Sequence, residues 1–509
     1  MSTPQEPRPP TLSFSIATRG APLPPRAPES PFVIALFGDF SGRAGRDIVN
    51  PVAGQTPVSI DIDNFAETLA RFAPTLELPD DAAPDGVLTL SFRELDDFHP
   101  DQIAPRLPGL QRLQALRPRL SHPATSAQAA QELHALLGRA EPATATAPES
   151  DADTLARLLG NAQPSPPPEP AAAASRADSA QAAVQRLAQQ AVAGHAVAKP
   201  SASQTESLEA LNRACAARLN AVLHHPRFQA LESAWRSVDR LVRTFDEGDH
   251  VKLLLVDVTA EELAADLDAT EDVAASGLYR LLYDSTTSQA WAVVCAFYTF
   301  GETADDIARA AKLARAGAYL STPIVAAAHP SLAGCAGFAS QPDPEKWNRA
   351  GAGERDAAFT DLRRRPEAAC LGLALPRFLL RQPYGKGSDP IQSFPFEEIG
   401  SPEDHESYLW ANPSMLIAEL LIQRFKDDGW ALAPETGGDV PDIPVHHYKA
   451  GGESLVKPGA EAWLGERAAT RLRQHGLIPV LSIKNRDAVR VTGIASIGDP
   501  AQPLALRLL

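Results

Sequence analysis

The feature that most constrains this chain of 509 residues is a change of composition that runs from about Ser121 to Gln204. Alanine, proline, serine, glutamine and threonine dominate these residues, and large apolar side chains are few. A segment of that kind buries too little apolar surface to fold, which predicts a mostly disordered linker. The chain should therefore contain two globular parts, joined by a linker whose root-mean-square reach is roughly 50 Å.

Around this linker we predict four regions. Residues 1–31 form a tail with a leading strand, and residues 32–120 form a first domain. Residues 121–205 are the linker with short helices, and residues 206–509 form a second domain. Short apolar runs alternate with helical patterns in the second domain, which predicts an α/β fold with a mixed and largely buried sheet. The clearest of these segments are Val251–Val258, Glu261–Leu267, Trp291–Phe300, Asp305–Leu320, Pro323–Ala328, Cys370–Leu375 and Ile478–Lys484.

The N-terminal tail carries a strand pattern. Leu12, Phe14 and Ile16 alternate with polar residues, which predicts a half-buried strand. The proline-rich stretch Pro22–Pro31 separates this strand from the first domain. Because an isolated strand cannot satisfy its own backbone donors, we expect it to exchange between subunits and to add to a neighbour's sheet.

Composition excludes several classes of protein. The net charge of −16 argues against a protein that wraps nucleic acid, since phosphate binding needs a positive surface. The four cysteines form no CxxC pair, so neither a disulfide framework nor a zinc site is indicated. No signal peptide is recognisable, and no apolar run approaches the ~18–20 residues that span a bilayer. We therefore expect a cytoplasmic protein without direct membrane insertion.

Three glycines follow the first apolar run of the chain. Gly38, Gly42 and Gly45 have the spacing i, i+4, i+7, which does not match G-x-G-x-x-G, and no Lys-Ser or Lys-Thr pair follows. The pattern favours a tight turn over a nucleotide site.

Neighbouring histidines and carboxylates raise the question of catalysis or metal binding. The pairs His224–His225 and His446–His447 consist of adjacent residues, whose side chains point to different faces and do not converge on a metal. Asp96, Asp97 and His99 precede Pro100, where a solvated or helix-capping role is the better interpretation. We predict no catalytic residue, no metal ligand and no cofactor.

Two stretches far apart in the chain are amphipathic packing elements. One is Leu90–Leu120, which contains Asp96-Asp-Phe-His-Pro100, and the other is His224–Val242. Together with Leu36-Phe-Gly-Asp-Phe-Ser-Gly42 and Tyr408-Leu-Trp-Ala-Asn412, they resemble the small (TssB/VipA-like) and large (TssC/VipB-like) sheath subunits of the type VI secretion system. The resemblance covers about 11–120 for the small subunit and 206–500 for the large one, joined here in one polypeptide.

The resemblance implies a structural protein and not an enzyme. Members of this family form a contractile tube of interlocked heterodimers around an inner tube, and contraction propels that tube. The implied partners are other sheath subunits or copies of this chain, inner-tube and baseplate proteins, and an AAA+ ATPase that disassembles the sheath.

The resemblance also assigns roles to particular residues. Apolar candidates for the interface between the small and large parts are Phe98, Leu107, Leu110, Phe228 and Trp235. A basic patch consists of Arg363, Arg364, Arg365, Arg377, Arg381 and Lys386. A solvated face is the default interpretation of such a patch, and in a stacked assembly it could meet an acidic patch on a neighbour or on the inner tube. A short linker helix with Leu155, Leu158 and Leu159 on one face is a candidate recognition element for the ATPase.

Two other functions stay open at this point. The large subunit of the family normally continues beyond the position where this chain stops, at Leu509, so we expect its C-terminal segment to be missing. This favours, as an alternative, a factor that assembles, caps or regulates a sheath without polymerising. The other alternative hypothesis is an α/β enzyme with unrecognised chemistry.

Overall fold

The structure is a computed structural model. It describes residues 27, 29–46, 48–138, 201–286, 290–347, 353–401, 403–433 and 436–506. The predicted exchange strand (Leu12, Phe14 and Ile16) and the predicted linker helix (Leu155, Leu158 and Leu159) lie outside the described residues.

Fifteen strands and thirteen α-helices lie in the described part of the chain. The strands are β1 (Phe32–Gly38), β2 (Val58–Ile60), β3 (Thr75–Pro79), β4 (Val87–Ser91), β5 (Val251–Asp257), β6 (Trp291–Phe300), β7 (Ile324–Ala328), β8 (Leu371–Leu375), β9 (Phe378–Leu379), β10 (Trp410–Ala411), β11 (Gly438–Pro441), β12 (His446–Ala450), β13 (Glu453–Lys457), β14 (Ile478–Ser482) and β15 (Ala488–Val491). The α-helices are α1 (Phe65–Phe72), α2 (Pro100–Ile103), α3 (Pro108–Gln114), α4 (Arg117–Ser121), α5 (Ser126–Leu137), α6 (Ala202–Leu223), α7 (Pro226–Val242), α8 (Ala260–Asp268), α9 (Gly277–Thr286), α10 (Ala304–Leu320), α11 (Gly353–Arg363), α12 (Ser414–Asp428) and α13 (Glu466–Gln474). Short 3-10 helices lie at Val52–Gly54, Leu95–Phe98, Ala104–Arg106, Glu247–Asp249, Val273–Ala275, Pro330–Ala333, Pro344–Lys346, Pro366–Cys370, His405–Ser407 and Gly429–Ala431.

The described residues fall into two compact units. The larger lies within Met1–Gln111 and Ala216–Leu509, and the smaller lies within Arg112–Cys215. In the smaller unit the Arg119 guanidinium pairs with the Glu132 carboxylate of α5 at 2.6 Å. We call residues 27–111 the N-terminal segment and residues 216–506 the C-terminal part; both belong to the larger unit.

The larger unit is built on a nine-stranded sheet with the order β11-β15-β14-β8-β7-β6-β1-β5-β2. The six strands from β14 to β5 are parallel, and the antiparallel strands β2, β15 and β11 lie toward the two edges. The sheet is therefore mixed, with a parallel centre, and the predicted α/β class is confirmed. Three two-stranded sheets, β3–β4, β9–β10 and β12–β13, accompany it.

Helices cover both faces of the sheet, as a parallel sheet requires. Val33, Ala35 and Phe37 of β1 belong to the apolar cluster formed with α8, α9 and α10. Phe32 points to the other face, where its ring stacks on Phe425 of α12 with 4.9 Å between centroids. Strand β1 is thus buried on both sides.

The predicted segments of the second domain lie close to observed elements. The apolar run Trp291–Phe300 is β6 itself, and the predicted helix Asp305–Leu320 is α10 with one more residue at its start. The proline pair Pro105 and Pro108 splits the helical stretch after Pro100 into α2, a 3-10 turn and α3, because proline cannot continue a helix from within. The predicted domain boundaries stay predictions. The structure adds that two strands of the predicted first domain, β1 and β2, lie in the same sheet as the second.

Candidate functional site: the seam between the N-terminal segment and the C-terminal part

The seam begins with the insertion of β1 between β5 and β6. Phe32–Gly38 pairs in parallel with Val251–Asp257 along its whole length, and with β6 on the other side. The ladder ends on hydrogen bonds from the Phe32 amide to the His250 carbonyl (2.8 Å) and from the Val258 amide to the Gly38 carbonyl (3.0 Å). All seven residues of β1 are buried.

The energy of this insertion is large on the scale of a folded domain. The five large apolar side chains of β1 are each at most 1% exposed. Fully burying such a side chain contributes about 1.5–3 kcal/mol, so together they contribute on the order of 10 kcal/mol. Removing β1 would also leave β5 and β6 with unpaired backbone groups in the interior of the sheet. The C-terminal part therefore depends on the N-terminal segment for its own core.

Trp235 of α7 anchors the start of the N-terminal segment. Its indole N–H donates to the Phe40 carbonyl at 2.8 Å, and its ring meets those of Phe40, Phe65 and Phe72 at centroid distances of 5.8, 5.9 and 5.7 Å. These edge-to-face contacts each add about 0.5–1.5 kcal/mol beyond burial. The indole is fully buried, and its one polar atom has its partner.

A second aromatic cluster joins the 3-10 turn at Leu95–Phe98 to α7. Phe92 and Phe98 stack with centroids 4.1 Å apart and planes 3° from parallel. Phe228 meets their edges at 6.0 and 5.9 Å. Leu107 and Leu110, the other two apolar candidates from the sequence, are buried and line a small cavity of about 80 Å³.

The structure thus places all five apolar candidates at the seam but in three separate contacts. Phe98 touches Phe228, Trp235 lies in the first cluster, and Leu107 and Leu110 face Val222 of α6 across the small cavity. Whether the same side chains also join separate subunits stays a prediction.

A buried ion network, which the sequence alone did not indicate, closes the seam where β1 and β5 end. Arg43 is 6% exposed and binds Glu262 of α8 through two hydrogen bonds of 3.1 and 2.7 Å, and it also binds Asp257. The other oxygen of Asp257 accepts from the Phe40 and Ser41 amides at 2.8 and 3.1 Å. Burial opposes the charge of Glu262, but hydrogen bonds, first that of Arg43, lower the pKa of Glu262.

The predicted glycine turn carries Arg43 into this network. Gly42 and Gly45 have φ of +70° and +75°, which L-residues adopt at a cost. A Cβ on Gly42 would also lie 2.6 Å from the Thr75 carbonyl oxygen. In this turn the Asp39 carboxylate accepts from the Arg43 and Ala44 amides, both at 2.8 Å.

The capping interpretation of Asp97 and His99 agrees with their hydrogen bonds. Asp97 accepts from the Arg93 amide at 2.7 Å and pairs with Arg106, and His99 accepts from the Asp101 amide through Nδ1 at 3.2 Å. Asp101 in turn accepts from the Gln392 amide at 2.9 Å, which ties the N-terminal segment to the C-terminal part.

A second charge network lies inside the C-terminal part. The Arg381 guanidinium is 11% exposed, binds both Glu232 and Glu398, and stacks 4.1 Å over the Tyr384 ring. Burial would raise the pKa of Glu398, but Arg381 and the His224 side chain hold it at about 2. Arg236 also pairs with Glu232, at 2.7 Å, so two arginines balance the two buried carboxylates within the protein.

The six residues of the predicted basic patch have different surroundings. Arg377 pairs with Glu406 and Glu461, and Arg363 donates to the Ile497 carbonyl at 2.9 Å. Arg364, Arg365 and Lys386 are exposed. Interaction with a partner stays a prediction, and it now rests on the three exposed residues.

One group of side chains has the composition of a metal site. The ligand atoms of His405, Glu406 and Glu461 lie within 4.8 Å of one another. However, the Arg377 guanidinium binds both carboxylates, and His405 Nε2 lies 3.0 Å from Glu461. The positive charge that balances this cluster comes from arginine, so these residues fit an ion network better than a metal site.

Comparison with known proteins identifies the family of this chain. Residues 205–498 match the family model VipB, described as "EvpB/VC_A0108, tail sheath N-terminal domain". Residues 12–144 match a second model, "Type VI secretion system, VipA, VC_A0107 or Hcp2". Since the first match alone covers more than half of the chain, the chain belongs to the type VI secretion tail sheath family. The predicted fusion of both subunits is confirmed.

A curated relative agrees with this family. The type VI secretion system sheath protein TssC1 of Pseudomonas aeruginosa is 28% identical over 306 residues, which cover 58% of this chain and 61% of the relative. This chain thus spans about three fifths of the relative's length. The family and the relative are structural sheath proteins and not enzymes. In the described part of the chain, no helix is both long enough and apolar enough to cross a membrane.

Proposed function

We propose that this chain polymerises around the inner tube of a type VI secretion system and contracts to propel that tube. The single observation that carries the proposal is the burial of β1 between β5 and β6. Because the VipA-like and VipB-like sequences lie in one chain, they occur in a one-to-one ratio, and their linkage raises their effective concentration. The burial of β1 supports a protomer in which both sequences share one core.

Contraction would use a bistable interface between protomers. Many weak repeated contacts give an extended arrangement and a lower-energy contracted one, while each protomer moves as a rigid body. The buried seam supports this role, since a protomer held together by its own core can rotate against its neighbours without coming apart. Inner-tube and baseplate proteins are the proposed partners, with an AAA+ ATPase for disassembly through the linker helix at Leu155, Leu158 and Leu159.

The proposed exchange strand supplies the connection between protomers. Leu12, Phe14 and Ile16 would pack on a neighbour's sheet, while Ser13 and Ser15 face away. The test is electron microscopy and sedimentation velocity of the purified full-length chain, compared with a variant that carries Leu12→Ser, Phe14→Ser and Ile16→Ser. The matched control carries Ser13→Ala and Ser15→Ala on the other side of the same strand.

We expect tubules from the wild-type chain and from the control, and a folded protein that forms no tubules from the apolar-face variant. Tubules formed by the apolar-face variant would contradict strand exchange. A wild-type chain that stays a discrete monomer at every concentration would contradict the sheath function and favour an assembly or capping factor.

A further inference from the structure

A groove on the C-terminal part is lined by both apolar and charged side chains. We define the groove by its walls, which are the β12–β13 hairpin, Trp463, and the turn Ile483–Asp487 between β14 and β15. Its volume is about 680 Å³. The seam does not use this groove, because none of its walls belongs to the N-terminal segment.

The groove exposes two large apolar side chains. Leu455 is 39% exposed and Trp463 is 45% exposed. They are two of only six large apolar side chains with this degree of exposure among the described residues. An exposed tryptophan in a concave site is the kind of side chain that anchors protein interfaces.

The rim of the groove is positively charged. Lys484 and Arg486 are exposed, and among the described residues neither lies within ion-pair distance of a carboxylate, although Arg486 is near enough to Asp439 to help lower the pKa of that carboxyl. Asp487 is the one acidic side chain among the described residues of the lining. The groove therefore suits an acidic segment that carries an apolar side chain. Another copy of this chain can supply acidic segments, since its net charge is −16.

The β3–β4 hairpin of the N-terminal segment has the complementary chemistry. Four leucines of the hairpin face the core, namely Leu76, Leu78, Leu88 and Leu90. The exposed positions are Glu77, Pro79, Val87, Thr89 and Ser91, of which Glu77 is acidic and Val87 is a large apolar side chain. Val87 is 47% exposed. The turn that joins the two strands adds Asp81 and Asp85, both exposed, and among the described residues neither has a basic partner within ion-pair distance.

We propose that the groove binds the β3–β4 hairpin of a second copy of this chain. Val87 would pack against Trp463 and Leu455, and the acidic turn would meet Lys484 and Arg486. This proposal deepens the proposed sheath function and rests on it for the repeated copies. Because groove and hairpin are unlike surfaces of one chain, the contact is heterologous and leaves a free groove and a free hairpin on every pair. A contact of this kind propagates into a ring or a helical array.

The occupant is identified by cross-linking in the full-length chain. A photoreactive p-benzoylphenylalanine replaces Leu455, and equal amounts of unlabelled and ¹⁵N-labelled protein are mixed before irradiation and mass spectrometry. We expect cross-links between differently labelled copies that map to residues 75–91. Cross-links to residues 1–26, or cross-links confined to one copy, would overturn the proposal.

Charge exchange tests the polar half of the contact. We expect Lys484→Glu with Arg486→Glu, and separately Asp81→Lys with Asp85→Lys, to weaken self-association roughly tenfold or more in sedimentation velocity. Mixing the two variants should restore association, since each then offers the charge that the other needs. The matched control, Arg467→Glu with Arg473→Glu, reverses two exposed charges of α13 outside the groove and should leave association unchanged.

The outcomes separate this contact from the sheath function. Failure of the mixture to associate, or unimpaired tubules from either variant alone, would overturn the contact and leave the sheath function standing. Association that mixing restores, in a protein that never forms tubules, would support the contact and contradict the sheath function.

Discussion

At the scale of single residues, the seam depends on charges that burial has removed from water. Arg43 reaches from the glycine turn to Asp257 and Glu262, two carboxylates that belong to the C-terminal part. A complete buried ion pair adds little to the free energy of unfolding. Removing one partner is strongly destabilising, because the other charge stays buried with neither a counter-ion nor water around it. The same logic applies to Glu398 and Arg381.

Replacing Arg43 tests the seam network directly. We expect Arg43→Ala to lower the free energy of unfolding by about 3–5 kcal/mol, because both carboxylates stay buried without their partner. The control is Arg243→Ala, which removes an exposed pair with Asp239 on α7 and should cost less than about 1 kcal/mol. Urea unfolding followed by circular dichroism measures both. Equal costs for the two variants would mean that the Arg43 network does not hold the seam.

The depressed pKa of Glu398 predicts a pH dependence. Its pKa is about 2 in the folded state and ordinarily 4.5, so its charge stabilises the fold above pH 4.5. This contribution is about 3 kcal/mol at pH 7 and is lost as the pH falls from 4.5 toward 2. We expect Glu398→Gln to be less stable than the wild type at pH 7, with a difference that shrinks below pH 4.5.

The control for this prediction is Glu453→Gln, at an exposed position on β13. Urea midpoints between pH 2.5 and 7 should show no pH-dependent gap for it. A wild-type advantage over Glu398→Gln that stays constant across this range would contradict the assignment.

At the scale of elements, the local sequence pattern predicts individual strands and helices, whereas long-range contacts determine which elements pack together. The apolar run at Phe32–Phe37 indicates a buried strand, and the stripe that includes Phe228 and Trp235 indicates the helix that is α7. Neither pattern says that β1 pairs with β5, because hydrophobic periodicity carries no information on which strand lies beside it. The partners of Arg43 were unpredictable for the same reason.

A polar substitution in β1 should therefore unfold β5 and β6 as well as β1. Ile34 is fully buried between the sheet and its helices, so Ile34→Asp would bury a carboxylate without a partner and prevent folding of the larger unit. We expect loss of protease resistance in β5 and β6 as well as in residues 32–38. Val49→Asp, at a position that is 76% exposed, is the control and should keep wild-type resistance. A resistant core that still contains residues 251–300 in Ile34→Asp would contradict this expectation.

At the scale of the whole molecule, the account is that two sequences related to separate sheath subunits contribute strands to one sheet of the larger unit. Composition predicted two globular parts, and the family matches confirm that both subunits are present in one chain. That their strands share one sheet could not be read from composition, because sheet order depends on the native topology and not on segment boundaries. Under the proposed sheath function, a protomer of this kind would keep its one-to-one ratio of the two sequences.

Native-state hydrogen exchange of the full-length chain tests this claim most directly. Amides of Val33–Phe37 in β1 are compared with those of β5 and β6 as urea is raised below the unfolding transition. If the seam is part of one cooperative unit, the three strands open with the same free energy and the same urea dependence. Exchange of β1 through a separate opening, at lower free energy and with β5 and β6 still protected, would contradict the account.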